Sequence, residues 1–549
     1  MVALTAFMAL SVDVGMLWST RRTMQTAADA AALAGAEALS QSDNIANGAT
    51  TASSLNGFTN GSNGVTVTVN NPPISGPNTG NADYVEVIVT KSINNFFLPI
   101  IGFKTTNITT RAVAGYNNSP NHVIGLNGSS SGAVTVNGGN TSLGCGVISN
   151  SSSSSGLKLA GGATLSAKQI GVVGNYNAGA GSCSPTPKTG IAPVRDPLCN
   201  RQSPSLSGCT RAGKTKSGPC EITSSSTCAA NVYVSSGGGY GQNSFRYRIL
   251  ELFGPTQAFA WGSSYGIGIA CPYNSKSGTY TPINVTFSGG TYGNYINCGG
   301  DSSHVCQNST ITFNAGQYQC DSSGNYPSVQ IGNYASGCTV NFNSGSYKFS
   351  GNVQICGNNT VTLQPGEYYG GITIQGGSSS GPTVNFQPGT YICGGGGINV
   401  SGTCTLNGTG CTFHNTSDTS SMGFSNGPIC IGANSGDNCT LHMSAPTDGG
   451  REGILFSQDS AVSSGGGWWN SSHNCNVECS SGSNCDGALY FPQGSLTYCG
   501  QSSSSHGYTC LVADTVTITN NTSLTNVNAN CDYTNLAHGS PIKTVALYE

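Results

Sequence analysis

Hydrophobic and polar positions change pattern twice along this chain, and each change predicts a different kind of element. Val2 to Trp18 is mostly apolar, broken by Ser11 and Asp13. Thr20 to Leu39 follows as an Ala-rich stretch with no Pro, strongly helix-forming. Together these predict one continuous helix over residues 2–39, apolar in its first half and small and mixed in its second. Val65 to Val69 and Tyr84 to Val89 then alternate as strands do, and Arg111 to Tyr116 supplies another short apolar strand. A small α+β domain over 41–120 is expected, packed on the second half of the helix.

From about residue 121, Ser/Gly/Asn turns separate apolar triplets such as Val134-Thr135-Val136 and Leu157-Lys158-Leu159. An internal repeat becomes explicit further on: apolar-x-aromatic/Leu-x-x-Gly-x-Tyr. It occurs as Val285/Phe287/Gly290/Tyr292, Ile311/Phe313/Gly316/Tyr318 and Val340/Phe342/Gly345/Tyr347. Val361/Leu363/Gly366/Tyr368 and Val384/Phe386/Gly389/Tyr391 continue it. Offsets inside the unit are constant while the connecting length varies, as stacked coils with fixed strands and variable loops require. The first two positions face inward at period two, and Gly makes the corner. The expectation is a mainly β chain: a long N-terminal α-helix (1–40), a small α+β domain (41–120) and a parallel β-helix, or solenoid (121–549). Phe287, Phe313, Phe342, Leu363 and Phe386 should form one inward column, and each Tyr should stack on its neighbour. Residues 183–282 fit the repeat poorly and read as a Cys-rich insertion that caps or flanks the solenoid.

Composition narrows the partners. Only 7% of the 549 residues are charged, so solubility must come from Ser, Thr, Asn and backbone amides. A net charge of −3 provides no basic field for nucleic acid. The 23 cysteines lack paired metal-site spacing; Cys475/Cys479 is the one short interval, and zinc is the weaker reading. Most of the cysteines are expected to pair as disulfides in an oxidising compartment, outside the cell or at its surface.

Val12-Asp13-Val14-Gly15, Gln25 and the run Ala27-Ala28-Asp29-Ala30-Ala31-Ala32-Leu33-Ala34-Gly35-Ala36 resemble the N-terminal segment of TadG-like proteins of Tad (Flp) pilus-assembly systems. Asp83-Tyr84-Val85-Glu86-Val87, Phe96 to Gly102 and Thr110-Arg111-Ala112-Val113-Ala114 extend the resemblance to residue 117. No D-x-S-x-S metal-site motif accompanies it. No basic region precedes the apolar run, which leaves an unusual anchor or a chain whose leader has been removed. The resemblance implies a bacterial pilus component that is membrane-inserted before assembly. Val2, Leu4, Phe7, Leu10, Asp13, Val14, Met16, Leu17 and Trp18 are the candidate assembly residues. The small residues from Ala27 to Ala36 are expected to permit close approach between helices of neighbouring copies. Asp13 reads either as a partner in helix packing between subunits or as a carboxylate that snorkels or lies beyond the membrane boundary.

Candidate chemistry is sparse. Gly262-Ser263-Ser264-Tyr265-Gly266 fits a nucleophile elbow, but so Gly- and Ser-rich a chain produces such matches by chance. A glycan-active enzyme on a β-helix would need clustered carboxylates. Asp459, Asp486 and Asp514, with Arg451 and Glu452, are the candidates, and their spacing suggests surface turns instead. Trp468 and Trp469, on a Gly/Ser loop, form a candidate surface contact for a neighbouring subunit or a glycan. Asn107, Asn308, Asn415 and Asn470 stand in N-x-S/T triplets. No catalytic, cofactor-binding or metal-ligating residue is expected. The function read from the chain is a structural subunit of a pilus-like filament, a homopolymer built through the N-terminal helix. A membrane-anchored adhesin or minor pilus component comes second and a glycan-active enzyme third.

Overall fold

A computed structural model describes residues 2–40, 43–117 and 121–207 (apart from 192, 195, 200 and 202), isolated strands between 220 and 280, and most of 284–416. It also describes 429–459 apart from 433–436 and 460 onward, then 477–479, 483–500, 509–524 apart from 520–521, and 544–548. Of residues 2–9 only the helical backbone is described. The chain is mainly β, with one long N-terminal helix, and it divides into two compact units, residues 1–120 with 542–549 and residues 121–541.

In the first unit α1 (Val2–Ser40) and α2 (Ile45–Leu55) lie against an antiparallel sheet. The sheet order is β1 (Val65–Asn70), β2 (Tyr84–Asn94), β3 (Thr105–Asn117) and, beside β3, the C-terminal strand Thr544–Leu547. Residues 542–549 therefore belong here, which shortens the C-terminal region expected from the repeats. Met24, Ala27, Ala28, Ala31, Ala32 and Ala36 recur at helical spacing and are fully buried, packed with Val85, Val87, Val89 and Ala112. This corrects the expectation that Ala27 to Ala36 faces neighbouring copies. Those small side chains instead let α1 lie close to its own sheet. A Cβ on Gly35 would stand 3.0 Å from Val85 Cγ1.

The second unit is a winding of parallel strands, with three short strands to each rung. One rung is Thr360–Leu363, Gly366–Tyr368 and Ile372–Gln375. It pairs strand for strand with the next, Thr383–Phe386, Gly389–Cys393 and Ile398–Ser401. Phe287 aligns with Phe313, Phe313 with Phe342, and Leu363 with Phe386, all buried. The five expected side chains thus stand in one column, and neighbouring Phe rings stack at 5.0 and 4.6 Å.

The tyrosines stack as expected where Tyr318 meets Tyr347 (6.3 Å) and Tyr368 meets Tyr391 (6.1 Å), but they are not register partners. Tyr318 pairs with Phe349, and Tyr347 with Gly366. The register slips by two residues, which keeps every ring on the inner face, whereas a slip of one would turn it outward. Each buried hydroxyl is satisfied at the corner. Tyr347 donates to the carbonyls of Phe313 and Asn343, both at 2.7 Å, and Tyr318 to those of Phe287 (3.1 Å) and Asn314 (2.6 Å). Phe would leave the Asn carbonyl without this donor, a physical reason for Tyr at that position. Corner glycines Gly345 and Gly389 have φ of 142° and 137°, in the region that favours glycine.

The rungs do not stack in chain order. Thr509–Thr519, in the last rung, pairs in parallel with Asn121–Gly125 and Val134–Asn137, in the first. Ser523–Leu524 likewise pairs with Asn140–Leu143. The chain enters the winding internally and builds rungs outward to Ser182–Ser184 and Lys188–Thr189. It resumes at Asn284–Phe287, at the other end, and winds back until it meets its own first rung. That distant end carries antiparallel strands from the expected insertion. Cys220–Glu221 pairs with Asn284–Phe287, and Asn231–Ser236 with Tyr265–Ala270. Antiparallel cover of this kind blunts an edge that would otherwise template further parallel pairing.

The connection between the two ends begins as a strap over the outside of the second strand layer. Val194 exchanges hydrogen bonds with Asn150, Tyr490 donates to Asp196, and Ser207 N–H donates to Glu367. The thirteen residue steps from Val194 to Ser207 reach at most about 45 Å. Seven rung spacings of about 4.8 Å separate Asn150 from Glu367, about 34 Å in all. The strap therefore has the reach to span the stack, with slack taken up by the turns Asp196–Cys199 and Leu198–Arg201.

Candidate functional site

Two places gather the residues singled out by sequence. The first is the initial half of α1. Leu10, Val12, Val14 and Trp18 are exposed, Trp18 at 73%, while Met16 and Leu17 are half-buried. Val2, Leu4 and Phe7 lie on the helix, but their side chains are outside the described residues. Among the described residues no helix is long and apolar enough to cross a membrane.

Asp13 is fully buried within this exposed stretch. Its carboxylate accepts backbone N–H groups from Phe96 at 3.0 Å and from Phe97 and Leu98 at 2.8 Å. These begin the short 3₁₀ turn Leu98–Ile101, whose leading N–H groups would otherwise lack partners. Asp13 is thus an N-cap supplied from a distant helix, a role neither sequence reading considered. The turn it holds is itself apolar and exposed: Phe96 at 71%, Ile100 at 82% and Phe103 at 63%. Asn95 shapes its base by donating to the Phe103 carbonyl and to Thr106. In the sequence, Phe96 to Gly102 stands out only within the Tad-like resemblance. The run FFLPII between alternating strands was the available signal that an apolar tip follows β2.

The second place lies on the outer side of the winding. His414 and Ser457 are register partners on adjacent rungs, with Nδ1 and Oγ 2.9 Å apart. Arg451 donates to that Oγ at 2.7 Å and to His414 Nδ1 at 3.0 Å. A guanidinium can only donate, so Nδ1 accepts, and His414 carries its proton on Nε2, which faces Asp459 at 3.3 Å. The connectivity is Ser–His–Asp, but Ser457 is 2% exposed and also engaged by Arg451, which shields it from a substrate. Burial lowers Arg451 to about 10, partly offset by Asp459. Burial would raise Asp459, but hydrogen bonds from His414, Ser203 and Thr416 outweigh it and hold the carboxyl below its ordinary value. Ser203 belongs to the strap, so the cluster ties strap to rungs.

The remaining candidates are dispersed. Asp514 accepts from Asn127, and Asp486 pairs in register with Ser444. Glu452 lies 3.9 Å from Arg201 of the strap. Asp459, Asp486 and Asp514 are thus engaged separately on different rungs. Trp468, Trp469 and Asn470 lie outside the described residues, as do residues 262–264 of the G-x-S-x-G match. Asn415 is fully buried, while Asn107 and Asn308 are exposed. Among the described residues no group of three His, Cys, Asp or Glu is placed to hold a metal.

Cysteine takes two roles. Cys145, Cys485 and Cys499 are disulfide-bonded. Cys356, Cys393, Cys411 and Cys430 are buried thiols and stand outside the pairing expected of most cysteines. Cys393 and Cys411 fill inward positions as small apolar side chains, whereas Cys356 and Cys430 stand in register with the polar Gln375 and Asn399. Burial raises the Cys356 and Cys430 thiols to about 11 and Cys411 to about 12.

Residues 1–38 match the family model described as putative Flp pilus-assembly TadE/G-like. That match ties the N-terminal helix to pilus-assembly systems and the cell envelope. No curated protein and no solved structure matches the chain.

Proposed function

We propose that this chain is a structural subunit of an extracellular pilus-like filament, inserted in the membrane before assembly. It polymerises with copies of itself through the first half of α1. It displays a parallel β-helix, the reading that best accounts for three strands per rung and parallel in-register pairing. Disulfides at Cys145, Cys485 and Cys499 brace that body. The observation that carries the assembly reading is the set of exposed apolar side chains Leu10, Val12, Val14 and Trp18 on a helix matching the TadE/G-like model. Apolar surface of this kind favours burial in lipid or against another chain. Burying one such side chain stabilises by roughly 1.5–3 kcal/mol.

The test is deletion of residues 1–18, or a charge in place of Leu10 or Val14, in the producing cell. Loss of fibres, with folded protein in the medium, is the expected result. Unchanged fibres would refute polymerisation through α1. A membrane-held adhesin or minor pilus component is the second reading, favoured by Phe96, Phe97 and Phe103 beside Trp18's helix, aromatics suited to a lipid interface. Fractionation separates the two, because a membrane-held chain stays with membranes when fibres are sheared away.

A further inference from the structure

The outward face of the first strand layer carries a regular lattice. Each of its strands alternates an inward apolar residue with an outward polar one. Thr310, Thr339, Thr360, Thr383 and Thr405 align rung upon rung in one outward rank. Thr312, Asn341, Thr362, Asn385 and Asn407 align in a second rank beside it. The intervening Ile311, Val340, Val361, Val384 and Leu406 are buried inward. Thr339 and Thr360 are exposed, and the others in the two ranks are half-buried.

Strand geometry fixes the dimensions. Rungs repeat at about 4.8 Å, and the two ranks stand about 6.6 Å apart along each strand. The lattice is stiff. Threonine has few side-chain rotamers, and Asn407 donates to Asn385 at 2.9 Å across adjacent rungs. It contains no charge, and its side chains offer hydroxyl and amide groups only. Inward packing does not explain outward regularity, because the core constrains only alternate residues.

We propose that this lattice is a binding surface for an extended, uncharged, β-1,4-linked polysaccharide lying along the winding axis. The chemistry fits in three respects. A neutral polymer meets an uncharged surface, so no ion is desolvated on contact. Its hydroxyls donate and accept, as Thr and Asn do. Its advance per sugar residue is close to the rung spacing, so one sugar meets each rung and the same contact repeats. Weak contacts repeated on a preorganised surface reach useful affinity because little ordering remains to be done. This inference is independent of the assembly reading.

The test is co-sedimentation of the full chain, in detergent micelles, with microcrystalline cellulose and with chitin. Retention on at least one of them is expected. The triple variant T339V/T360V/T383V keeps the branched shape and removes three hydroxyls. It should lose retention at least ten-fold with an unchanged circular dichroism spectrum. T360K, at an exposed position, should weaken retention without disturbing the core and serves if the triple variant fails to fold. No retention on either polymer overturns the proposal, as does equal retention by the folded variants. Self-association that the same substitutions abolish would assign the lattice to contacts between copies and would also overturn it. None of these outcomes depends on whether fibres form.

Discussion

Val134 and Val516 are register partners on adjacent parallel strands, although nearly the whole second unit separates them in sequence. Their pairing joins the first and last rungs of the winding. Asn121–Gly125, in the first rung, thus stands beside Thr509–Thr519, in the last, whereas a simple stack in chain order would leave the two far apart.

Replacing Val134 by Asp should therefore damage both ends of the sequence. An unpaired carboxylate in the buried column is expected to destabilise by several kcal/mol, on the order of other severe core defects. Hydrogen exchange should rise in 146–166 and equally in 509–519. Exchange confined to the rungs following Val134 would refute the closed order.

The corner hydroxyl has a smaller effect. Tyr347→Phe removes the single hydroxyl proton shared between the Phe313 and Asn343 carbonyls but keeps the ring. The Phe313 carbonyl still accepts the Asn343 N–H at 2.9 Å. A loss of about 1–2 kcal/mol is expected, against about 3–5 kcal/mol for Tyr347→Ala, which also opens a cavity. Denaturant midpoints for the two variants test the ranking.

Asp13→Ala should release the turn it caps. Three N–H groups lose their acceptor, and local stability goes with them. Fast amide exchange at Phe96, Phe97 and Leu98, with α2 unaffected, is the expected signature. Unchanged protection there would show that the loop holds itself.

Acid should loosen the first unit through Glu86. Burial would raise this carboxyl, but hydrogen bonds from Ser75, Arg111, Asn70 and the Ile74 N–H hold it down to about 2. A depressed carboxylate contributes fully above its unfolded value of about 4.3. Its contribution falls as pH drops from there through about 2. Glu86→Gln should lower stability at neutral pH and flatten the dependence between those limits. An acid titration of the variant parallel to that of the parent would refute the assignment.

Thiol labelling separates the two kinds of cysteine. Cys356, Cys393, Cys411 and Cys430 should resist alkylation in the folded chain and react once it is denatured without reductant. Cys145, Cys485 and Cys499 should react only after reduction. Mass spectrometry reads both classes, and native labelling of Cys393 would refute its place in the core.

Sequence alone determined the elements whose signals are local. Residues 2–39 are helix-forming throughout, and fixed offsets from Val285 to Tyr391 placed Phe287, Phe313, Phe342, Leu363 and Phe386 in one column. Alternation at period two is written in each strand, so the inner face was legible. Tertiary structure decided what those faces meet. A parallel strand carries no address for its neighbour, so Val134 could not be assigned to Val516, nor Tyr318 to Phe349. An Ala-rich helical face suits a sheet as well as another helix, and only packing assigned Ala27 to Ala36 to the first unit's own sheet. Asp13 looked anomalous because its partners, the N–H groups of Phe96 to Leu98, lie on a loop more than eighty residues away. Backbone donors leave no mark in side-chain sequence, and cysteines show no sign there of whether they bond or simply fill space.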